Sequence, residues 1–284
     1  MWWSQPKRKR NNEIMIATQC PICKSSKFRI ISDDLLLCNA CHIIYNANHT
    51  PALYSTDYFG KEYKAQYGKT YEDDFETIYA ASIVRLKIIQ KFLLNTLSTK
   101  SLLDIGCALG FFCKAAKDFG FGVVEGLEIS EYAASYSKKK FNIPVYITGF
   151  EEFTPLKKYD VVTAWFVLEH CADPYAMFNK IYDMLDDNGI FACTLPSYFG
   201  PIFYCHRDEW VRSHPKDHRI DVAPWSIKKL LRSIGFSFVR CFPSGYHPER
   251  FGSIAQKYQK LYKTIANLLC FSDTILVIAS KKPQ

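Results

Sequence analysis

The sequence contains no apolar run long enough to cross a bilayer. Its longest apolar stretches, near 190–205 and 264–280, are broken by proline or by Asn and Asp. The residues after Met1 reach a basic run without passing through an apolar core, so no signal peptide is readable. An excess of one charge is also largely missing: 36 Lys and Arg stand against 28 Asp and Glu, a net charge of +8. Four of those bases form the run Lys7-Arg8-Lys9-Arg10, without which the excess falls to four. Such a balance demands no nucleic-acid partner. The run reads as part of a solvated, disordered tail over residues 1–17, and Met15 suggests that residues 1–14 are dispensable or untranslated. A hydrophobic fraction of 48% with 23% charged residues excludes wholesale disorder. A chain of 284 residues can bury one large core plus a small module.

Cysteine is not scarce. There are 11, an odd number in a large chain, which argues against a secreted disulfide scaffold and for a reducing, cytoplasmic setting. Four of them form two pairs, Cys20-Pro-Ile-Cys23 and Cys38-Asn-Ala-Cys41, 14 residues apart. Two such turns can each present two sulfurs to one ion and close a tetrahedral zinc site. Between them, Phe28–Ile31 and Leu35–Leu37 flank Ser32-Asp33-Asp34, the pattern of a hairpin. A redox CxxC is the rival reading. The expectation is a structural zinc ribbon over residues 18–46, held by Cys20, Cys23, Cys38 and Cys41. The positions following the second cysteine of each turn, often glycine, are Lys24 and His42; His42 is a competing ligand.

Residues 47–74 form an aromatic linker or lid carrying Tyr54, Tyr58, Phe59, Tyr63, Tyr67 and Tyr71, with Gly60 and Gly68 as breaks. The rings either pack on the following domain or approach a cationic ligand as a cover. A domain over 75–284 then opens with a helical pattern that places Tyr79, Leu86, Ile89 and Leu93 on one face.

The strongest signal begins at Ser101. Leu102-Leu103-Asp104-Ile105 reads as a buried strand, and Gly106-Cys107-Ala108-Leu109-Gly110 turns tightly into a helix. Small residues let a ligand approach the backbone, and a helix start offers free N–H groups to a carboxylate. A dinucleotide fingerprint needs a third small residue three positions after the second, and Phe111 stands there instead, which disfavours NAD. Asp104 can hold an ammonium group. The next strand ends at Glu128, 24 residues after Asp104, where a carboxylate can accept two ribose hydroxyls. Glu125 is the rival acid, but Glu128 directly precedes Ile129 and Ser130, a helix start with an N-cap.

The segments Leu102–Phe112, Gly126–Ser130, Tyr159–His170 and Leu185–Ile190 occur in order and resemble successive motifs of class I, S-adenosylmethionine-dependent methyltransferases. The resemblance implies an α/β fold: a Rossmann-like, mostly parallel seven-stranded sheet with helices on both faces, preceded here by the zinc ribbon. It implies that Asp104, Gly106, Ala108 and Gly110 face the methionine part of S-adenosylmethionine. Glu128 and Ile129 would meet the ribose, and Phe150 and Glu151 would border the adenine. Trp165 and Phe166 would stand near the transferred methyl group. Ala108 replaces the middle glycine of the usual motif.

Methyl transfer gains much from alignment alone, so no catalytic residue is obligatory. His170 is a candidate general base; its alternative is to start and cap the next helix together with Glu169. The stretch 197–225, expected to be irregular, carries His206, Trp210, His214 and His218 among acids and is expected to cover the mouth of the site. The histidines resemble a metal cluster, but their spacings match no standard zinc site. The catalytic candidates are therefore His170, His214 and His218. The expected activity is methylation of a small molecule or carbohydrate precursor. An RNA methyltransferase gripping its substrate with the ribbon, and a non-catalytic S-adenosylmethionine-binding scaffold, are the alternatives.

Overall fold

The structure is a computed structural model and describes residues 19–51, 59, 61, 63–94, 96–244 and 258–282. Its main sheet is built from β4 (Ser101–Ile105), β5 (Val123–Glu128), β6 (Val145–Ile147), β7 (Tyr159–Trp165), β8 (Leu185–Pro196), β10 (Phe238–Pro243) and β11 (Thr274–Ser280). The strands lie in the order β10-β11-β8-β7-β4-β5-β6. Six run in one direction, and β11 runs against them, antiparallel to both its neighbours. This is the expected Rossmann-like methyltransferase sheet. Its central strands are apolar almost throughout, as they must be with helices on both faces.

One face is covered by α2 (Phe75–Gln90) and α3 (Phe111–Asp118), where Leu86, Ile89, Phe112 and Cys113 pack on Leu102, Val161 and Ile278. The other carries α5 (Pro174–Met184) and α8 (Pro224–Ile234), with Phe178, Ile181, Ile227 and Leu231 against Val162, Phe191 and Val277. Both of these helices start at a proline, whose missing N–H costs nothing in the first turn. The order strand–helix–strand sends each parallel crossover over the sheet, so the loops that follow β4, β5 and β7 emerge at one edge.

The N-terminal hairpin forms as the sequence suggests. β1 (Phe28–Ile30) pairs antiparallel with β2 (Leu35–Cys38), and β2 with β3 (Ile44–Asn46). Sequence reading does not anticipate the fourth strand of this sheet. β9 (Ile220–Asp221) pairs with β3 through Tyr45↔Ile220 and Ile44↔Asp221. Buried Cys20, Ile22, Leu36, Ile43 and Tyr45 belong to the same apolar cluster as Phe191 and Leu231.

The stretch expected to be irregular is therefore structured. It holds α6 (Pro201–Cys205), α7 (Arg207–Arg212) and β9, and Ser197 bridges to Val222. Its short elements borrow stability from the ribbon and from Tyr198 and Phe203, which no local periodicity reveals. Of the aromatic stretch, Phe59, Tyr63 and Tyr71 pack their rings together, and Tyr71 stacks on Phe111 at 5.3 Å. Tyr54, Tyr58, Gly60, the Tyr67 side chain and the basic tail lie outside the described residues. Among the described residues no helix is long and apolar enough to cross a membrane.

Candidate active site

The turn after β4 is held by β5. The backbone N–H groups of Gly106 and Cys107 donate to the Leu127 carbonyl at 2.7 and 3.0 Å. Gly106 and Gly110 both sit at positive φ, +66° and +80°. A Cβ on Gly110 would lie 2.1 Å from the Ser137 hydroxyl, and one on Gly106 2.6 Å from Val167 Cγ2. Ala108 also adopts positive φ (+49°), the strained position where the resemblance led one to expect glycine. Its N–H donates to Glu128 Oε2 at 2.9 Å, and Ser130 N–H donates to Oε1 at the same distance. Glu128 thus ties two loops together, and each of its oxygens retains acceptor capacity. Burial pushes its carboxyl up, against those backbone hydrogen bonds. Ser130 caps α4 (Glu131–Phe141), as expected, by accepting from Ala133 N–H. Ile129 beside it is exposed. Glu125 instead pairs with Lys157 and accepts from Tyr146.

Asp104 is fully buried and accepts a 2.6 Å hydrogen bond from Thr163 Oγ1. Burial lifts its carboxyl to about 7, against the pull of Thr163 and of Arg85. Arg85 lies on α2 with its guanidinium 4.6 Å from the centre of the Trp165 ring. Sequence reading missed it: an arginine among helix residues carries no signal until α2 is folded against the sheet. Trp165 packs on Phe112, and its Nε1 is buried without a partner. Phe166 projects outward at φ +57°. Phe150 is a core residue packed with Leu127 and Phe153, and its carbonyl and that of Glu151 both accept from Lys180.

Val167, which abuts Gly106, leads directly into a turn of 3₁₀ helix at Leu168–His170. Neither Glu169 nor His170 caps the next helix; Asp173 does, accepting from Ala176 N–H. The three candidate histidines come together. The His170 and His218 rings lie 4.8 Å apart, His218 and His214 5.6 Å, and His214 and Trp210 5.0 Å. His170 Nδ1 is 3.0 Å from an Asp217 carboxylate oxygen, and His214 Nε2 is 2.7 Å from Asp221. Burial keeps His170 below the usual imidazole range despite Asp217, and brings His218 down to about 4. For His214 burial acts the same way, but the hydrogen bond with Asp221 outweighs it and the net shift is upward. His206 lies outside these groupings. Sequence reading counted Asp217 among the acids near these histidines but did not place Asp221 or Glu169 with them; the charge pattern alone could have nominated both.

The cluster is fastened to the N-terminal sheet. Asn46 Nδ2 donates to the Lys216 carbonyl, Thr50 N–H to the same carbonyl, and Arg219 to the Asn46 carbonyl. His49 meets the Asp217 carbonyl at 3.1 Å. In the ribbon, Cys20 and Cys41 sulfurs are 3.5 Å apart and those of Cys23 and Cys38 3.4 Å, and all four lie within 4.8 Å of one another. A zinc tetrahedron with bonds of about 2.3 Å has edges of about 3.8 Å, so the four sulfurs fit one ion. Lys24 and His42 both adopt φ +57°, the conformation for which glycine is usual at these positions; His42 is exposed and is not part of the four-sulfur group.

Comparison with known proteins agrees with the geometry. A family described as a methyltransferase domain matches residues 78–240. A ubiquinone biosynthesis O-methyltransferase from Histophilus somni is 33% identical over 129 residues, 41% of this chain and 53% of that protein. A malonyl-[acyl-carrier protein] O-methyltransferase from Ilyobacter polytropus is 27% identical over 126 residues, 43% of this chain and 46% of that protein. The chain spans about half the length of the curated relatives it matches. A methyltransferase of Archaeoglobus fulgidus superposes with a TM-score of 0.56 at 18% identity, covering 78% of this chain and 98% of that one. The plantazolicin methyltransferase BpumL, solved with SAH, gives 0.52 at 14% identity, covering 79% and 90%. At such identities these structures establish the fold. With the family match spanning more than half of its length, the chain belongs to the methyltransferase domain family and carries the fold of class I, S-adenosylmethionine-dependent methyltransferases.

Proposed function

We propose that the protein transfers a methyl group from S-adenosylmethionine to a hydroxyl of a small-molecule or carbohydrate-precursor acceptor. One observation carries this reading. Val167 touches the glycine turn, and three residues further on His170 enters the histidine–aspartate cluster. On this reading, donor-binding and acceptor-binding groups share one sheet edge. The relatives' names, both O-methyltransferases, favour oxygen as the accepting atom.

In this reading Asp104 faces the ammonium of the methionine moiety, and the turn through Gly106, Ala108 and Gly110 receives its carboxylate. Arg85 adds positive charge beside Asp104. Glu128 accepts the ribose hydroxyls next to Ile129. Phe150 and Glu151 border the adenine through their backbone, since the Phe150 ring is committed to the core. Trp165 and Phe166 wall the methyl group. His170, His214 and His218 orient the acceptor for transfer. Residues 18–46 form a ribbon whose Cys20, Cys23, Cys38 and Cys41 hold a structural zinc, and a closed four-thiolate shell leaves no position for catalysis. Residues 47–74 lead into the methyltransferase domain that follows.

Incubation with donor labelled at the methyl group, on separate metabolite and RNA fractions, tests the assignment. Label is expected in the metabolite fraction, with His170→Ala, His214→Ala and His218→Ala lowering turnover more than donor affinity. Label confined to RNA, or donor binding with no transfer to either fraction, would overturn it.

A further inference from the structure

Six ionisable side chains crowd the acceptor side of the sheet: Glu169, His170, His214, Asp217, His218 and Asp221. Two triads within them have ligand atoms all within 4.8 Å of one another, Glu169–His170–His218 and His214–His218–Asp221. The second triad is spent internally, because His214 and Asp221 already satisfy each other at 2.7 Å. The first is not. Glu169 is 1% exposed, and its Oε2 has no hydrogen-bond partner. His218 Nδ1 is likewise buried without one. Leaving a buried polar atom unmatched costs about 1–3 kcal/mol, and both residues belong to one group whose ligand atoms lie within 4.8 Å of one another, so a shared partner would satisfy both.

From these observations we infer that Glu169, His170 and His218 bind a divalent metal ion at the acceptor site. Three atoms mutually within 4.8 Å can all be reached from one point at no more than about 2.8 Å. Contraction by about 0.6–0.8 Å then gives ordinary ligand distances of about 2.0–2.2 Å to nitrogen and oxygen. Two imidazoles and a carboxylate suit zinc, iron(II) or manganese(II), and three protein ligands leave positions open for an acceptor. The surroundings match. Asp217 holds His170 Nδ1, the arrangement by which a carboxylate fixes the ring of a metal-binding histidine. Asp217 and Asp221 also act electrostatically on Glu169, and a cation relieves the mutual repulsion of the three acids. The inference rests on the proposed function for its chemistry. A divalent ion bound to an acceptor hydroxyl stabilises the alkoxide, and the released proton passes to solvent or to a neighbouring base, so no external oxidant or reductant enters.

The test is metal content and metal titration of the full chain, with transfer measured in parallel. Protein stripped with a mild chelator and titrated with Co²⁺ is expected to show, besides any thiolate-bound ion, one further ion in a site of nitrogen and oxygen ligands. Glu169→Gln and His218→Ala should weaken that site at least about 100-fold, and Asp217→Asn about 10- to 100-fold. Donor binding by each variant reports that the fold is intact. Absence of a nitrogen–oxygen Co²⁺ signal in the wild type, or its survival unchanged in Glu169→Gln and His218→Ala, would overturn the site. If the ion binds but no acceptor is methylated, the site stands and the functional reading fails. If the histidine variants lose turnover with no ion bound, the reverse holds.

Discussion

The two loops that meet at the carboxyl edge of the sheet are secured in opposite ways. The glycine turn is held by its neighbours in sequence: Ala108 reaches Glu128 across 20 residues, and Gly106 reaches Leu127. The histidine-bearing segment is held from far away, with Asn46 gripping Lys216 across 170 residues and β3 pairing with β9. On the proposed reading, donor recognition belongs to one βαβ unit, whereas acceptor recognition is assembled from distant parts of the chain. Damage should separate the two.

The largest separation should follow loss of the zinc proposed for the ribbon. Stripping the protein with a strong chelator, or changing Cys38→Ser, would on that proposal remove a closure of the order of 10 kcal/mol. It should lower turnover by about 100-fold or more through misplacement of the histidines. Hydrogen exchange should rise together over 20–46 and 214–221 and stay slow in β4 and β5. Parallel exchange in all four regions would erase the distinction.

The converse change is Glu128→Ala. It removes the acceptor of two backbone N–H groups and, on the proposed reading, of two ribose hydroxyls, at about 1.5–3 kcal/mol per charged hydrogen bond. Calorimetry should show donor affinity reduced at least about tenfold, with the histidine cluster intact. Equal affinity in wild type and variant would show that Glu128 does not meet the ribose.

A pH series sharpens the donor side further. Asp104 ionises at about 7 in the free protein, chiefly because it is buried. An ammonium group binds the ionised form, so affinity is full above that value and falls as the pH drops through it. The limiting slope is about tenfold per pH unit. Asp104→Asn should bind weakly at every pH and show no such slope.

The smallest effect belongs to one tether. Asn46→Ala deletes two side-chain hydrogen bonds, one donated to the Lys216 carbonyl and one accepted from Asn48 N–H, a net loss of about 2 kcal/mol. The melting temperature should fall by about 4–8 °C, with turnover reduced more than donor affinity. A reduction in donor affinity alone would contradict the division.

The same contrast explains what could be read in advance. Asp104, Gly106, Gly110, Glu128 and Ser130 announce themselves because strand, turn, acid and cap follow within a few residues, and chain neighbours enforce the geometry. The sheet was legible for the same reason, from buried apolar strands alternating with amphipathic helices. Residues 197–225 looked shapeless because α6, α7 and β9 are too short to show a period and depend on Tyr198, Phe203 and β3 for their form. The histidines could be nominated by type, but their alignment with Glu169 and Asp217 is a tertiary fact. Arg85 was invisible because its meaning comes from Trp165 and Asp104, both beyond the helix that carries it.

The pairing of β3 with β9 also sets a timetable for biosynthesis. The edge of β3 stays open until a partner about 170 residues downstream has been made. At about 5–20 residues per second that interval is about 10–30 s. Throughout it an apolar strand edge carrying Ile44 and Tyr45 is exposed to other nascent chains, and such edges are templates for aggregation. An ion closed early on Cys20, Cys23, Cys38 and Cys41 would knot the hairpin during the wait, so starving the growing cell of zinc should reduce the yield of soluble protein.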